Sequence, residues 1–158
     1  MTTAGTTIRP FRETDVDFVI SRQLALYESE YGFTSGTWKE YLTGGVRSLV
    51  NRFDPGLDCL FILEAGGIPA GCIAIAHADR AAAQLRFFFL EPDQRGQGAG
   101  RRLFDRAIGF CREKNYSRVF LWTFSTLAAA RHLYETGGFR ITETRMNTDW
   151  GEPVLEER

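Results

Sequence analysis

Between residues 16 and 31 the apolar side chains fall at Val16, Val19, Ile20, Leu24 and Tyr27, steps of three and four that gather on one helical stripe. Thr14 or Asp15 stands where an N-cap belongs, and Gly32 where the helix should stop. The segment "TWKEYLTGGVRSLVNRF" keeps a helical pattern and predicts one or two helices. An interruption is expected at Gly44–Gly45, because glycine weakens a helix interior. Pro55 and Gly56 close this section.

From Asp58 the pattern changes. "DCLFILEAGGIPAGCIAIAHA" is a pair of apolar runs joined at Gly66–Gly67, which predicts two strands and a tight hairpin turn. "AAAQLRFFFLEP" is a further strand, stopped by Pro92. Ahead of the helices, "TIRPF" predicts a short first strand with Pro10 at an edge or an end. Residues 1–6 are expected as a mobile tail and 7–158 as one domain. Downstream, "GRRLFDRAIGFCREKNY" predicts a helix burying Leu103, Phe104, Ala107, Ile108 and Cys111. "SRVFLWTF" is a strand, "TLAAARHLYETGG" a helix stopping at Gly137–Gly138, "FRITETRMNTDW" a strand, and "PVLEE" a brief last piece. Together these elements make a single α/β domain: two helices, an antiparallel meander, then a strand–helix–strand–helix–strand half.

Composition narrows the chemistry. At 158 residues the chain suits one domain with a real core, and 44% hydrophobic with 25% charged residues is ordinary for a soluble protein. A formal net charge of −1 gives no global field for nucleic acid or an anionic membrane, so any anion site must be local. Three cysteines, Cys59, Cys72 and Cys111, lack metal or disulfide spacing and read as small core residues. The start "MTTAGTTI" does not read as a signal peptide, and no apolar run reaches membrane-spanning length, so a cytoplasmic protein is expected. Neither a histidine cluster nor G-x-S-x-G is present, which leaves no metal site and no serine nucleophile; His132 reads as a surface residue and His77 as undecided.

The exception to this even composition is "DQRGQGAGRRLF", residues 93–104, which packs three glycines and three arginines just ahead of a helix. The first N–H groups of a helix have no internal partner and carry about half a positive charge from the dipole. Glycines let a phosphate approach without meeting a Cβ, and Arg95, Arg101 and Arg102 add fixed charge. A solvated glycine-rich turn is the plainer alternative. A P-loop would need Lys and Ser or Thr after its last glycine, where Arg101 and Arg102 stand. The dinucleotide pattern G-x-G-x-x-G fails at Arg101 in one register and at Leu103 in the other.

A third pattern fits. Arg95-x-x-Gly98-x-Gly100 resembles the (Q/R)-x-x-G-x-(G/A) signature of the GNAT acetyltransferases, whose loop cradles the pyrophosphate of acetyl-CoA. "LRFFFLEP" resembles that family's core strand, and Ala130, Tyr134, Gly138 and Phe139 resemble its A-x-x-x-Y-x-x-x-G-F element. The likeness covers about residues 7–157 and is sharpest from Leu85 to Phe139. "ALYESEYG", "FDP", "QLRFFFLEP" and "TDWG" further resemble the acetyltransferase half of MarR-type regulator–acetyltransferase fusions. Because Met1 directly precedes that half, no DNA-binding region is expected.

The resemblance implies a GNAT fold: a mixed, mostly antiparallel sheet with a parallel, splayed strand pair and about four helices. It implies that Arg95, Gly96, Gln97, Gly98, Ala99, Gly100 and Arg101 hold the coenzyme's pyrophosphate. The main chain of Phe88, Phe89 and Leu90 would meet the pantetheine arm, with the Leu90 N–H donating to the thioester oxygen. Tyr134 matches the tyrosine that protonates the leaving sulfur, although a core tyrosine is the plainer reading. Where many relatives have a pantetheine-binding Asn, this chain has Leu127, and Ser125 or Thr126 would take over. A general base is less legible: Gln84 and Arg86 occupy strand positions where some relatives place a carboxylate, Glu91 and Glu28 are alternatives, and Glu30 is the expected base. Tyr27, Glu30, Tyr31, Trp38 and Trp122 would line the acceptor pocket, unless they are core. The expected reaction is direct transfer of an acetyl group to a primary amine of a small molecule or peptide. A non-catalytic acyl-CoA sensor and an ATP-binding protein are the rivals, and a homodimer is an open possibility.

Overall fold

In this computed structural model, residues 6–79, 81–96, 98–121, 123–124, 134–136, 144–147 and 154–157 are described. Gln97, Trp122, Ser125, Thr126, Leu127, His132 and the side chain of Tyr31 therefore lie outside the described residues, as do positions 1–5 and most of the segment expected as a helix before Gly137.

Strand β1 is Thr6–Pro10, beginning one residue earlier than expected, with Thr6 paired to Ala65. A single 3-10 turn leads into helix α1, Val16–Tyr31, which ends on Gly32 at φ 74°, the left-handed conformation a glycine allows. Asp15 precedes α1 but turns its carboxylate back to the Arg12 N–H and to Arg9 instead of capping the helix. Helix α2, Gly36–Asn51, is N-capped by the Ser35 hydroxyl and runs unbroken through Gly44–Gly45. The expected interruption does not occur. Around those glycines Trp38, Leu42, Val46 and Leu49 form a continuous buried stripe, whose packing outweighs the roughly 1–2 kcal/mol that two glycines cost.

Strands β2 (Cys59–Ala65) and β3 (Ile68–His77) meet at Gly66–Gly67, both at positive φ, as a two-residue hairpin of the expected kind. Strand β4 is Ala82–Leu90, helix α3 is Ala99–Glu113 and strand β5 is Arg118–Phe120. The run expected as one strand after α3 divides, because Thr123–Phe124 forms β6 in a second sheet. That sheet has the order β6-β8-β7, with β7 at Thr144–Asn147 and β8, the closing "VLEE", at its centre. The main sheet is β1-β2-β3-β4-β5, antiparallel except for the parallel β4·β5 pair.

Two cores flank the main sheet. Leu60, Ile62, Cys72 and Ala74 face α1 and α2, while Phe61, Leu63, Ile73 and Ile75 face Leu103, Phe104, Ala107 and Cys111 of α3. Each fully buried Leu, Ile or Phe contributes about 1.5–3 kcal/mol. All three cysteines are free and buried, and burial pushes the Cys111 thiol up to about 11, so they remain protonated packing groups.

Candidate active site

The site begins where the sheet comes apart. Among the described residues, strand β4 pairs with β5 at Ala82↔Arg118, Ala83↔Val119 and Gln84↔Phe120, then continues to Leu90 with β3 as its one neighbour. Over the same stretch its ladder with β3 slips: Cys72 faces Phe89 but Ala74 faces Arg86, so β4 advances three residues while β3 advances two. This is a β-bulge, and Phe87 within it has φ 55°, a conformation costing a non-glycine residue about 1–3 kcal/mol. The extra residue exchanges the faces of the strand. Ala83 and Leu85 point toward α3, whereas Phe87 and Phe89 point toward α1 and α2.

Beyond the bulge, the Glu91 N–H donates to the Ala70 carbonyl at 2.8 Å. Alternate residues of an antiparallel strand send their polar groups to opposite edges. The Leu90 N–H and carbonyl therefore turn away from β3, toward the edge that β5 has left. Arg95 Nη2 meets the Leu90 carbonyl on that side at 3.2 Å. Phe89 differs from expectation: its carbonyl lies 2.8 Å from where a Cβ on Gly71 would stand, so it belongs to the β3 ladder, and its side chain is core. Phe88 packs on the α3 side, its ring centroid 6.4 Å from that of Tyr134.

The glycine loop follows directly. Pro92–Gln94 makes one 3-10 turn; Gly96 (φ 77°) and Gly98 (φ 81°) then adopt conformations that need glycine, and α3 starts at Ala99. Gly98 occupies the N-cap and has no side chain with which to cap the helix. The amides of Ala99 and Gly100 consequently meet no backbone acceptor among the described residues, with the positive end of the α3 dipole behind them. Gly100 packs beneath Leu90 and Phe88, and a Cβ there would lie 3.4 Å from Leu90 Cδ1. Three guanidiniums surround this turn. Arg95 donates to Glu30 Oε2 at 3.1 Å, Arg101 to the Thr136 hydroxyl and Arg102 to the Thr6 hydroxyl. The Arg101 contact ties the first turn of α3 to the helical residues 134–136 that carry Tyr134.

Tyr134 is buried between Phe104 and Phe88. Burial, followed by the neighbouring Tyr27, raises its hydroxyl pKa well above the ordinary tyrosine value, so the proton is retained. Tyr27 stacks on Trp38 at 5.2 Å, Trp38 stacks on Tyr41 at 6.0 Å, and Phe33 meets both Tyr27 and Trp38 edge-on. Of the expected acceptor residues, Trp38 is therefore a core side chain and Tyr27 is partly buried against that core, the plainer of the two readings their sequence positions allowed. Glu30 stands apart from these rings, held on Arg95. Glu91 is likewise engaged, accepting from Arg22 at 2.6 and 2.8 Å, and Glu28 is exposed. His77 lies at the opposite end of the β3·β4 ladder, beside Tyr116.

Two residues here were not singled out from sequence. Arg22 fixes α1 to the end of β4 through Glu91. Gln23 sits in the buried stripe of α1, only 3% exposed, and among the described residues its Oε1 has no hydrogen-bond donor. A polar residue between Val19 and Tyr27 at four-residue steps was the available signal.

Comparison with known proteins matches this geometry. Residues 22–139 match the Acetyltransferase (GNAT) family. A mycothiol acetyltransferase from Beutenbergia cavernae is 32% identical over 108 residues, covering 68% of this chain and 36% of that protein. The chain spans less than two thirds of the curated relatives it matches. Among solved structures, a GNAT-family acetyltransferase from Staphylococcus aureus superposes with a TM-score of 0.75 at 18% identity, covering 97% of this chain and 98% of that one. The yncA protein from Salmonella typhimurium, solved with its cofactor acetyl-CoA, gives 0.73 at 17% identity and covers 98% of this chain and 93% of that one.

Proposed function

Because this chain belongs to the GNAT acetyltransferase family, we propose that it moves an acetyl group from acetyl-CoA directly to a primary amine of a small molecule or peptide. One observation carries the reading: an uncapped helix N-terminus behind two positive-φ glycines lies beside a strand edge whose Leu90 polar groups face outward. The residues fit the coenzyme. The Ala99 and Gly100 amides hold its pyrophosphate, Gly96 and Gly98 leave room for it, and Arg101 and Arg102 supply charge. Gln97, Ser125 and Thr126 remain in the proposed contact set on their sequence positions alone.

When bound, acetyl-CoA supplies an acyl group activated as a thioester. The Leu90 N–H donates to the carbonyl oxygen as negative charge grows there, a contribution of about 3 kcal/mol for one fixed donor. Tyr134, kept protonated by burial, gives its hydroxyl proton to the departing sulfur. The amine must lose a proton before attack, since an alkylamine with pKa about 10.4 is only about 0.04% neutral at pH 7. Glu30 is the base in this proposal, and Arg95 controls it. The Arg95–Glu30 pair is partly exposed and worth about 0–1 kcal/mol, so Arg95 turns readily toward a diphosphate and releases the carboxylate. Tyr27, with Tyr31 and Trp122 assigned from sequence, lines the acceptor side, and the buried Trp38 backs it. Three buried free thiols suit a reducing cytoplasm. Within the family, the segments quoted above support the MarR-type fusion half as the subfamily.

The engagement of Glu30 and Glu91 by arginines favours a second reading, a non-catalytic acyl-CoA sensor. Calorimetry with coenzyme A and ATP, followed by thiol release across a panel of amines, separates the readings. Coenzyme A binding with turnover on at least one amine supports the enzyme; binding without turnover supports the sensor; preference for ATP overturns both.

A further inference from the structure

Arg86 is a half-buried cation that the mechanism above does not use. Its interactions are both with aromatic faces: the guanidinium carbon lies 4.5 Å from the Phe87 ring centroid and 5.9 Å from that of Tyr41. Among the described residues it has neither a hydrogen bond nor a carboxylate partner. The arrangement is built by the fold. The β4 bulge turns Arg86 and Phe87 to the same face, and Gly45 of α2 supplies the space, since a Cβ there would stand 2.8 Å from Arg86 Nη2. A planar guanidinium presents five donors in a fork that matches a carboxylate, and burial without an acceptor leaves those donors costly.

Its location matters. Tyr27 stacks on Trp38 and Trp38 on Tyr41, and Arg86 rests on Tyr41, the exposed end of that row. Along β4, Arg86 is four residues from Leu90, at most about 13 Å in extended chain. A small amine lying along β4 beside the exposed Tyr41 ring, with its nitrogen near the Leu90 N–H, would bring its other end to Arg86. We propose that the acceptor is an amine that also carries a carboxylate, an amino acid, and that Arg86 binds the carboxylate. This deepens the acetyltransferase reading and rests on it.

The test is a calorimetric titration, with coenzyme A present, of the common amino acids and their carboxamides into wild type, Arg86→Gln and Gly45→Ala. At least one amino acid should bind wild type roughly tenfold to hundredfold more tightly than its amide. Arg86→Gln should erase that preference without weakening the amide. Gly45→Ala, which keeps the charge and displaces the guanidinium, should reduce the preference in a protein whose helix is not weakened. Equal affinity of acids and amides for wild type, no amino-acid binding at all, or equal weakening of both by Arg86→Gln overturns the proposal. Failure to bind coenzyme A strikes the acetyltransferase reading instead.

Discussion

Gly71→Ala perturbs the site from behind, without replacing any residue proposed to meet substrate. Gly71 lies on β3 opposite Leu90, and a Cβ there would stand 2.8 Å from both the Phe89 carbonyl oxygen and Leu90 Cδ2. Ordinary contact begins at 3.4 Å, so the end of β4 must move by about 0.6 Å, the difference between the two distances. One contact is backbone, so rotating a side chain cannot absorb the whole shift. The displaced segment carries the Leu90 N–H, proposed as the thioester donor. A misplacement of about 1 Å costs about a hundredfold in rate, so roughly tenfold is expected here, with a stability loss of about 1–3 kcal/mol from overpacking. The assay is kcat at saturating acetyl-CoA, paired with the coenzyme dissociation constant and the melting temperature. The loop amides lie in another segment, so coenzyme affinity should change little. Gly44→Ala is the control: no atom lies within 4 Å of its added methyl group, so activity should hold and stability should rise by up to about 1 kcal/mol. A folded Gly71→Ala variant with wild-type kcat would refute the assignment of Leu90.

Tyr134→Phe keeps the packing against Phe88 and Phe104 and removes the proton. A fall in kcat of about a hundredfold or more is expected, with coenzyme affinity unchanged, measured by thiol release. Asp15 predicts an acid limb in stability. Burial pushes its carboxyl up, but the Arg9 guanidinium and the Arg12 amide pull harder, so the net shift is downward. The folded value is below the unfolded one, near 3.9, so this stabilisation is complete above that value and fades as pH falls through the folded one. Asp15→Asn should therefore cost about 1.5–3 kcal/mol at pH 7, by denaturant titration, and progressively less as pH falls below about 4.

The sequence pattern was most legible where a local physical rule governs. Gly32 and the Gly66–Gly67 pair announced their positive φ, and Arg95-x-x-Gly98-x-Gly100 announced an uncapped helix start. Arrangements made by distant partners were less legible. The break between β5 and β6 depends on β8 joining the second sheet, a pairing across more than thirty residues that no local period encodes. Gly44–Gly45 resembled a helix break because nothing nearby reveals that Arg86, on β4, occupies the space above Gly45. The roles of the carboxylates were hidden for the same reason. Whether Glu30 and Glu91 are solvated or engaged is decided by Arg95 and Arg22, both remote in sequence.

The central claim is that the α3 amides grip a diphosphate. Amide NMR during a coenzyme A titration addresses it most directly. The account predicts large, saturating shifts for Gly96, Gly98, Ala99 and Gly100, reproduced by adenosine diphosphate carrying a 3′-phosphate and absent with pantetheine alone. Saturable coenzyme binding that leaves those four amides unmoved would contradict it.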